Sequence, residues 1–308
     1  MNRLLSRLAS HLAVFLLMVC MLMPMSGFAA QDQIIDKSVT ILAAFGTSDP
    51  DAKKSFEAIE ASYAAHGHET IIWSYSSNII RKKLAAQSNG NAVVYSMQEA
   101  LAKAHELGAN KVLVQSLHVV PAEEFSKIER LIAADVALHP DRFDSIILGH
   151  PLLESAQDLD DTLDAIMAAV PADRTPQDAV VFMGHGNDRG PGDLVLRATA
   201  DAIHAHDANA YLATVEGALG FEEHVLPALK ASGVSHVYLM PFMIVAGDHA
   251  KNDMAGPEED SWSSLIKAEG IEVTSILEGM GLNQGIQAIF LRHSADAADD
   301  FVTGSKTK

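Results

Sequence analysis

Residues Val237 to Gly256 read VYLMPFMIVAGDHAKNDMAG. An apolar run, Val237 to Met240, stops at Pro241. A second, Phe242 to Ala246, stops at Gly247, and three polar side chains follow closely: Asp248, His249 and Asp253. Short apolar runs bounded by Pro or Gly read as buried parallel strands. Open α/β sheets bind ligands just outside the carboxyl ends of such strands, which makes His249 the first candidate for chemistry.

Outward from this stretch the same pattern recurs. Strands are expected at Val39–Ala44, Thr70–Tyr75, Lys111–Leu117 and Ser145–Gly149, then at Ala179–Met183, Tyr211–Val215, the Val237 run and Ile271–Leu277. Helical stretches alternate with them: Asp51 to about His66, Asn78–Ala86, Val94–Leu107, Ser126–Leu138, Asp158–Val170, Asp193–His206, Phe221–Ser232, Ser261–Glu269 and Asn283–Ala298. Ser294–Lys308 turns polar and is expected to fray. Pro171–Gln177 reads as a linker. The alternation predicts an α/β protein of two similar doubly wound domains, each with a four-stranded parallel sheet, facing a central cleft. The halves also align. Lys111–Phe125 sets against His236–Ala250, which puts Glu124 opposite His249. Ala43–Ser48 sets against Val181–Gly186, which puts Thr47 opposite His185. The expected division is a signal peptide over 1–30, an N-terminal domain over 31–172 and a C-terminal domain over 173–308, with the last helix free to pack back on the first domain.

Residues 1–30 have the features of a secretory signal: Arg3 and Arg7, an apolar core from Leu12 to Met23, and small residues for cleavage after Ala29 or Ala30. The core is short for a membrane span. A lipid anchor at Cys20 is disfavoured by the large Met18 and Val19. Cleavage leaves 20 basic against 40 acidic side chains, a charge of −20 with His neutral. That excludes nucleic acid, whose binding rests on Lys and Arg contacts to phosphate, and disfavours an anionic membrane surface. Cys20 is the one cysteine and leaves with the signal, so any metal must be held by imidazole and carboxylate. No stable membrane anchor is expected afterwards, the compartment is expected to be periplasmic, and a homo-oligomer is compatible with the sequence.

Four ionisable side chains fall at strand C-termini: Glu124, His185, Glu216 and His249. Gly, Ala or Pro flanks each, so the backbone can turn tightly there. Two imidazoles and a carboxylate suit Zn, Fe, Co or Ni. The competing readings are ordinary: Glu123 and Glu124 as acids in a helix first turn, Glu216 as a helix cap, His185 as a turn residue. His118 and His150 also follow strands and rank second. A P-loop, a GxGxxG fingerprint and a GxSxG elbow are absent, so neither a nucleotide nor an activated serine is implied.

Taken together, FGTS (Phe45–Ser48), IIRKKL (Ile79–Leu84), QSLH (Gln115–His118), EEF (Glu123–Phe125), VVFMGHG (Val180–Gly186), VEG (Val215–Gly217) and MPFMIVAGDHAKNDMA (Met240–Ala255) resemble the anaerobic-type sirohydrochlorin cobalt chelatases, here in an exported form. The likeness runs from about Val39 to His293. The departures are the export signal and one extra residue at Lys82–Lys83. The resemblance implies an ATP-independent lyase that places Co2+, or alternatively Fe2+, into a tetrapyrrole. It implies His185, His249 and Glu124 as catalytic residues and His185, Glu216 and His249 as metal ligands. The substrate carries several carboxylates, so basic groups must counter them; Arg81, Lys82, Lys83 and Arg189 are the candidates. Insertion removes two pyrrole protons, and neutral imidazole can accept a proton or hold a metal near neutral pH. A rival reading keeps the scaffold as a periplasmic carrier of haem, another tetrapyrrole or a metal ion; no residue is assigned to haem.

Overall fold

The computed structural model describes residues 37–88, 94–187, 191–297 and 301; the signal stretch and Arg189 lie outside the described residues. Residues Asp36–Lys308 form one compact unit.

The first half runs β1 (Ser38–Ala44), α1 (Lys53–Ala65), β2 (Ile71–Tyr75), α2 (Asn78–Gln87), α3 (Met97–Glu106), β3 (Lys111–Ser116), α4 (Glu123–Leu138), β4 (Ser145–Gly149) and α5 (Ala156–Ala168). The second runs β5 (Ala179–Gly184), α6 (Gly192–His206), β6 (Ala210–Thr214), a π-turn (Phe221–Val225) leading into α7 (Leu226–Ser232), and β7 (His236–Pro241). A second π-turn (Ala250–Met254), α8 (Trp262–Ala268), β8 (Glu272–Ser275), a 3-10 turn (Met280–Leu282) and α9 (Gln284–Asp296) complete it. Each half has one four-stranded parallel sheet, ordered β2-β1-β3-β4 and β6-β5-β7-β8. The two orders are the same order, which is how two aligned half-sequences should fold.

The central strands read as unbroken apolar runs because both faces are covered. In β1, Leu42 and Ala44 point one way and Val39, Ile41 and Ala43 the other; in β5, Val180 and Phe182 oppose Ala179, Val181 and Met183. Leu42 and Phe182 belong to a shared cluster with Phe56 and Tyr63 of α1, Leu196 of α6 and Phe290 of α9, so one apolar layer serves both sheets. The last helix packs on the first half, touching α5, β3, β4 and α1. There Arg292 donates to Asp158 (2.6 Å) and to Asp161, and His293 Nε2 lies 2.8 Å from Asp158 Oδ1. Tyr63 donates to the Phe290 carbonyl at 2.9 Å.

Several expectations need correction. Phe242–Ala246 is no strand but a buried loop: Phe242, Ile244 and Ala246 are covered, and the carbonyls of Met243 and Ile244 accept from Met280 and Gly281 rather than from a neighbouring strand. Its apolar character reflects burial, not extension. The helix expected from Val94 begins at Met97, because Ser96 and Glu99 close a capping box there and Tyr95 pairs with Trp73 and Tyr75. Phe221–Ser232 is not one α-helix; Pro227 has no N–H to return to Glu223, and the first turn widens to π. Ser294 does not fray: its hydroxyl bonds Tyr63 and Gln115.

Candidate functional site

The MGHG segment ends β5. Gly186 takes φ +90°, and a Cβ there would sit 1.8 Å from the Glu216 carbonyl, so only glycine lets the two loops close. Glu216 N–H donates to the His185 carbonyl at 2.9 Å, which locks the loop after β5 to the loop after β6. His185 is exposed on this support.

His249 opens the helical turn that continues as the π-turn Ala250–Met254. The turn is anchored on two sides. Asn252 donates to Asp248 at 3.0 Å, and Lys251 reaches into the first half to pair with Asp49 at 2.6 Å, in the loop after β1. Gly247 approaches Thr47 of that same loop. π-turns of this kind recur at functional sites.

These supports bring His185 and His249 together. Their ring centroids are 5.0 Å apart and the planes stand at 83°. His249 Nδ1 lies 2.5 Å from Asp253 Oδ2, and His185 Nδ1 lies 3.2 Å from the Gly186 carbonyl oxygen. Both partners can only accept, so each Nδ1 carries the hydrogen, and in a neutral ring Nε2 is then the nitrogen with the lone pair. Imidazoles that ligate metals are commonly oriented this way, by a carboxylate or carbonyl on the other nitrogen. The pair can share a cation or take up a proton.

The other expected residues are placed differently. Glu216 reaches His185 through its backbone; among the described residues, no three His, Cys, Asp or Glu side chains are grouped to hold a metal ion. Glu124 stands in the first turn of α4, where its Oε2 is buried without a hydrogen-bond partner and the Lys127 ammonium is 3.8 Å away. Beside it is His118, whose Nδ1 is 3.0 Å from Ser116 Oγ and whose Nε2 is also buried without a partner. Burial pushes the His118 imidazole down to about 4; the negative charge of Glu124 opposes this and the positive charge of Lys127 adds to it. Arg81 donates to the Tyr75 carbonyl, and Lys82 and Lys83 are exposed on α2. Two contributors lie outside the expected site residues. Asp253, noted in the sequence among the polar residues after β7, is the i+4 partner of His249. Lys127, one turn beyond Glu124, carried no signal beyond its charge.

Comparison with known proteins gives one consistent result. Residues 38–299 match the family model described as cobalt chelatase (CbiK). The chain is 32% identical over 271 residues to sirohydrochlorin cobaltochelatase CbiKC of Nitratidesulfovibrio vulgaris, covering 86% of this chain and 93% of that protein. It is 35% identical over 261 residues to the sirohydrochlorin cobaltochelatase of Salmonella typhimurium, covering 83% and 95%. Among solved structures, the sirohydrochlorin chelatase SirB of Bacillus subtilis subspecies spizizenii, in complex with cobalt, superposes with a TM-score of 0.56 at 14% identity, over 84% of this chain and 94% of that one. At that identity the likeness speaks for the fold.

Proposed function

Because this chain belongs to the cobalt chelatase (CbiK) family, we propose that it inserts Co2+ into sirohydrochlorin without ATP, and that His185 and His249 handle the metal. The observation that carries this reading is the facing pair of imidazoles, each with Nδ1 committed to an acceptor and Nε2 free. Two neutral nitrogens from separate loops bind a divalent ion loosely enough to surrender it, as a closed thiolate cage would not. The same nitrogens can accept the pyrrole protons as the ion enters the ring, and Glu124 on the first half, its Oε2 without a hydrogen bond and only loosely paired with Lys127, is a further acceptor. Glu216, exposed on the loop whose backbone bonds that of His185, would have to turn its carboxylate toward the pair to complete the metal's ligands. The carrier reading is not favoured, since the curated relatives are named as chelatases.

Purified protein mixed anaerobically with sirohydrochlorin and Co2+ is expected to convert the visible spectrum to that of the cobalt complex faster than buffer does. A rate equal to the uncatalysed one overturns the reading. Running Fe2+ beside Co2+ in the same assay ranks the two metals. We also propose that residues 1–30 export the chain to the periplasm; the mass of protein recovered from that fraction should begin at Ala30 or Gln31.

A further inference from the structure

We propose that a cavity in the first half, between α2, α3 and α4, receives a carboxylate arm of the macrocycle through Lys127, Arg81 and Ser76. This rests on the sirohydrochlorin reading above. The cavity encloses about 430 Å³ and is lined by Ser76, Asn78, Arg81, Gln98 and Lys127, over a floor that includes Ala43 and Ala44 at the end of β1. Its volume is at the small end for a ligand site and suits a side arm rather than a whole tetrapyrrole.

The donors around it are under-used. The Lys127 ammonium has the Ser76 carbonyl at 3.3 Å and Glu124 at 3.8 Å, both long for a group with three N–H bonds to give. Arg81 spends one N–H on the Tyr75 carbonyl, and among the described residues no carboxylate pairs with its guanidinium. Ser76 Oγ is buried with no partner. Glu124 and Glu99 lie near the two cations, but neither makes a close ion pair with them, so two cations and an idle hydroxyl around one hollow keep bonding capacity in reserve. An anion in the cavity would satisfy all three, and charge-assisted bonds of this kind are the strong ones. The position fits the same conclusion. The floor at Ala43 and Ala44 leads directly into Phe45–Thr47, and Thr47 adjoins Gly247, two residues from His249. Lys127 in turn stands beside Glu124. An arm held here would tether the ring at the end of the sheets that carries the imidazoles.

The experiment varies sirohydrochlorin at saturating Co2+ for wild type, Arg81→Ala, Lys127→Met and Ser76→Ala. Lys103→Ala, which removes a surface lysine paired with Glu106, serves as the charge control. Arg81→Ala and Lys127→Met should each raise KM for sirohydrochlorin about 10-fold, the effect of losing a bond to a charged group. KM for Co2+ should not move, and kcat for Arg81→Ala should stay within about 3-fold, the signature of lost uniform binding. An unchanged KM for sirohydrochlorin in both variants overturns the proposal. Titration with succinate separates the two sources of a carboxylate. Succinate binding lost in the variants while KM for sirohydrochlorin is unmoved would mean a site for a free anion, which also overturns it. If wild type shows no turnover, the chelatase reading fails, and equilibrium binding of metal-free sirohydrochlorin still decides this proposal. Weaker binding by Arg81→Ala supports the subsite; equal binding, or none by wild type, removes it.

Discussion

The chemistry proposed for His185 and His249 depends on which nitrogen each offers. Replacing either with Ala should lower metal insertion by at least ~10²-fold, the range for losing a proton acceptor, with little change in melting temperature since neither ring is in the core. Asp253 is the finer test. It sets the tautomer of His249 from 2.5 Å away, so Asp253→Asn should weaken Co2+ use by roughly 10-fold or more, read as a raised KM for Co2+. An unchanged KM for both substrates would show that the contact does not orient the ring. His118 makes a pH prediction. Its folded pKa is held at about 4 against an ordinary 6.5, so the native state prefers it neutral. The stability it contributes is therefore complete above about pH 6.5 and is lost as pH falls from there towards 4. Proton NMR should find its ring untitrated at pH 5.5, where an ordinary imidazole is mostly protonated. At this scale the sequence shows which residues stand at strand ends but not which touch: the 5.0 Å approach of His185 and His249 links positions 64 residues apart, and Glu216, at an equivalent strand end, directs its backbone rather than an assembled carboxylate to the pair.

Elements were legible where local chemistry and burial agreed. β1, β5 and β7 were readable because strands covered on both faces are apolar throughout; α5 was placed from Asp158, two residues late, because the capping box between Ser155 and Asp158 was not read. Phe242–Ala246 was misread for the same reason in reverse: a buried loop carries the composition of a strand, and its bonds to Met280 and Gly281 are made by residues nearly forty positions later. The π-turn behind His249 was likewise invisible, since what holds it is Lys251 reaching Asp49 some two hundred residues away. The glycines of MGHG were readable and have a sharp consequence. Gly186→Ala puts a side chain at φ +90° and 1.8 Å from the Glu216 carbonyl oxygen. It should cost about 1–3 kcal/mol in backbone strain before the clash is counted. Urea unfolding should show the loss, and turnover should fall with it because the loop that presents His185 has to move.

The molecule as a whole is two like sheets built onto a shared apolar layer, with the last helix fastened to the first half. That fastening centres on Asp158. Burial raises its pKa, but bonds from Ser155, His293 and Arg292 outweigh it and leave the carboxyl below the ordinary 3.8. Asp158 thus stabilises the fold above about pH 4, and that contribution is lost as pH falls through its lowered folded value. Asp158→Ala should destabilise by about 3 kcal/mol, the low end for breaking a buried pair, because Arg292 keeps partial access to water. The repeat itself was legible from the aligned halves, and the sheet orders agree with it. The proposal that His185 and His249, carried after β5 and β7 of the second sheet, act on one ion is tested most directly by a kinetic cycle. His185→Ala, His249→Ala and the double variant should be compared in single-turnover Co2+ insertion. Side chains acting as one unit give losses that do not add, so the double variant should be scarcely slower than either single one. Losses that multiply, or a single variant with wild-type turnover, would contradict a common site.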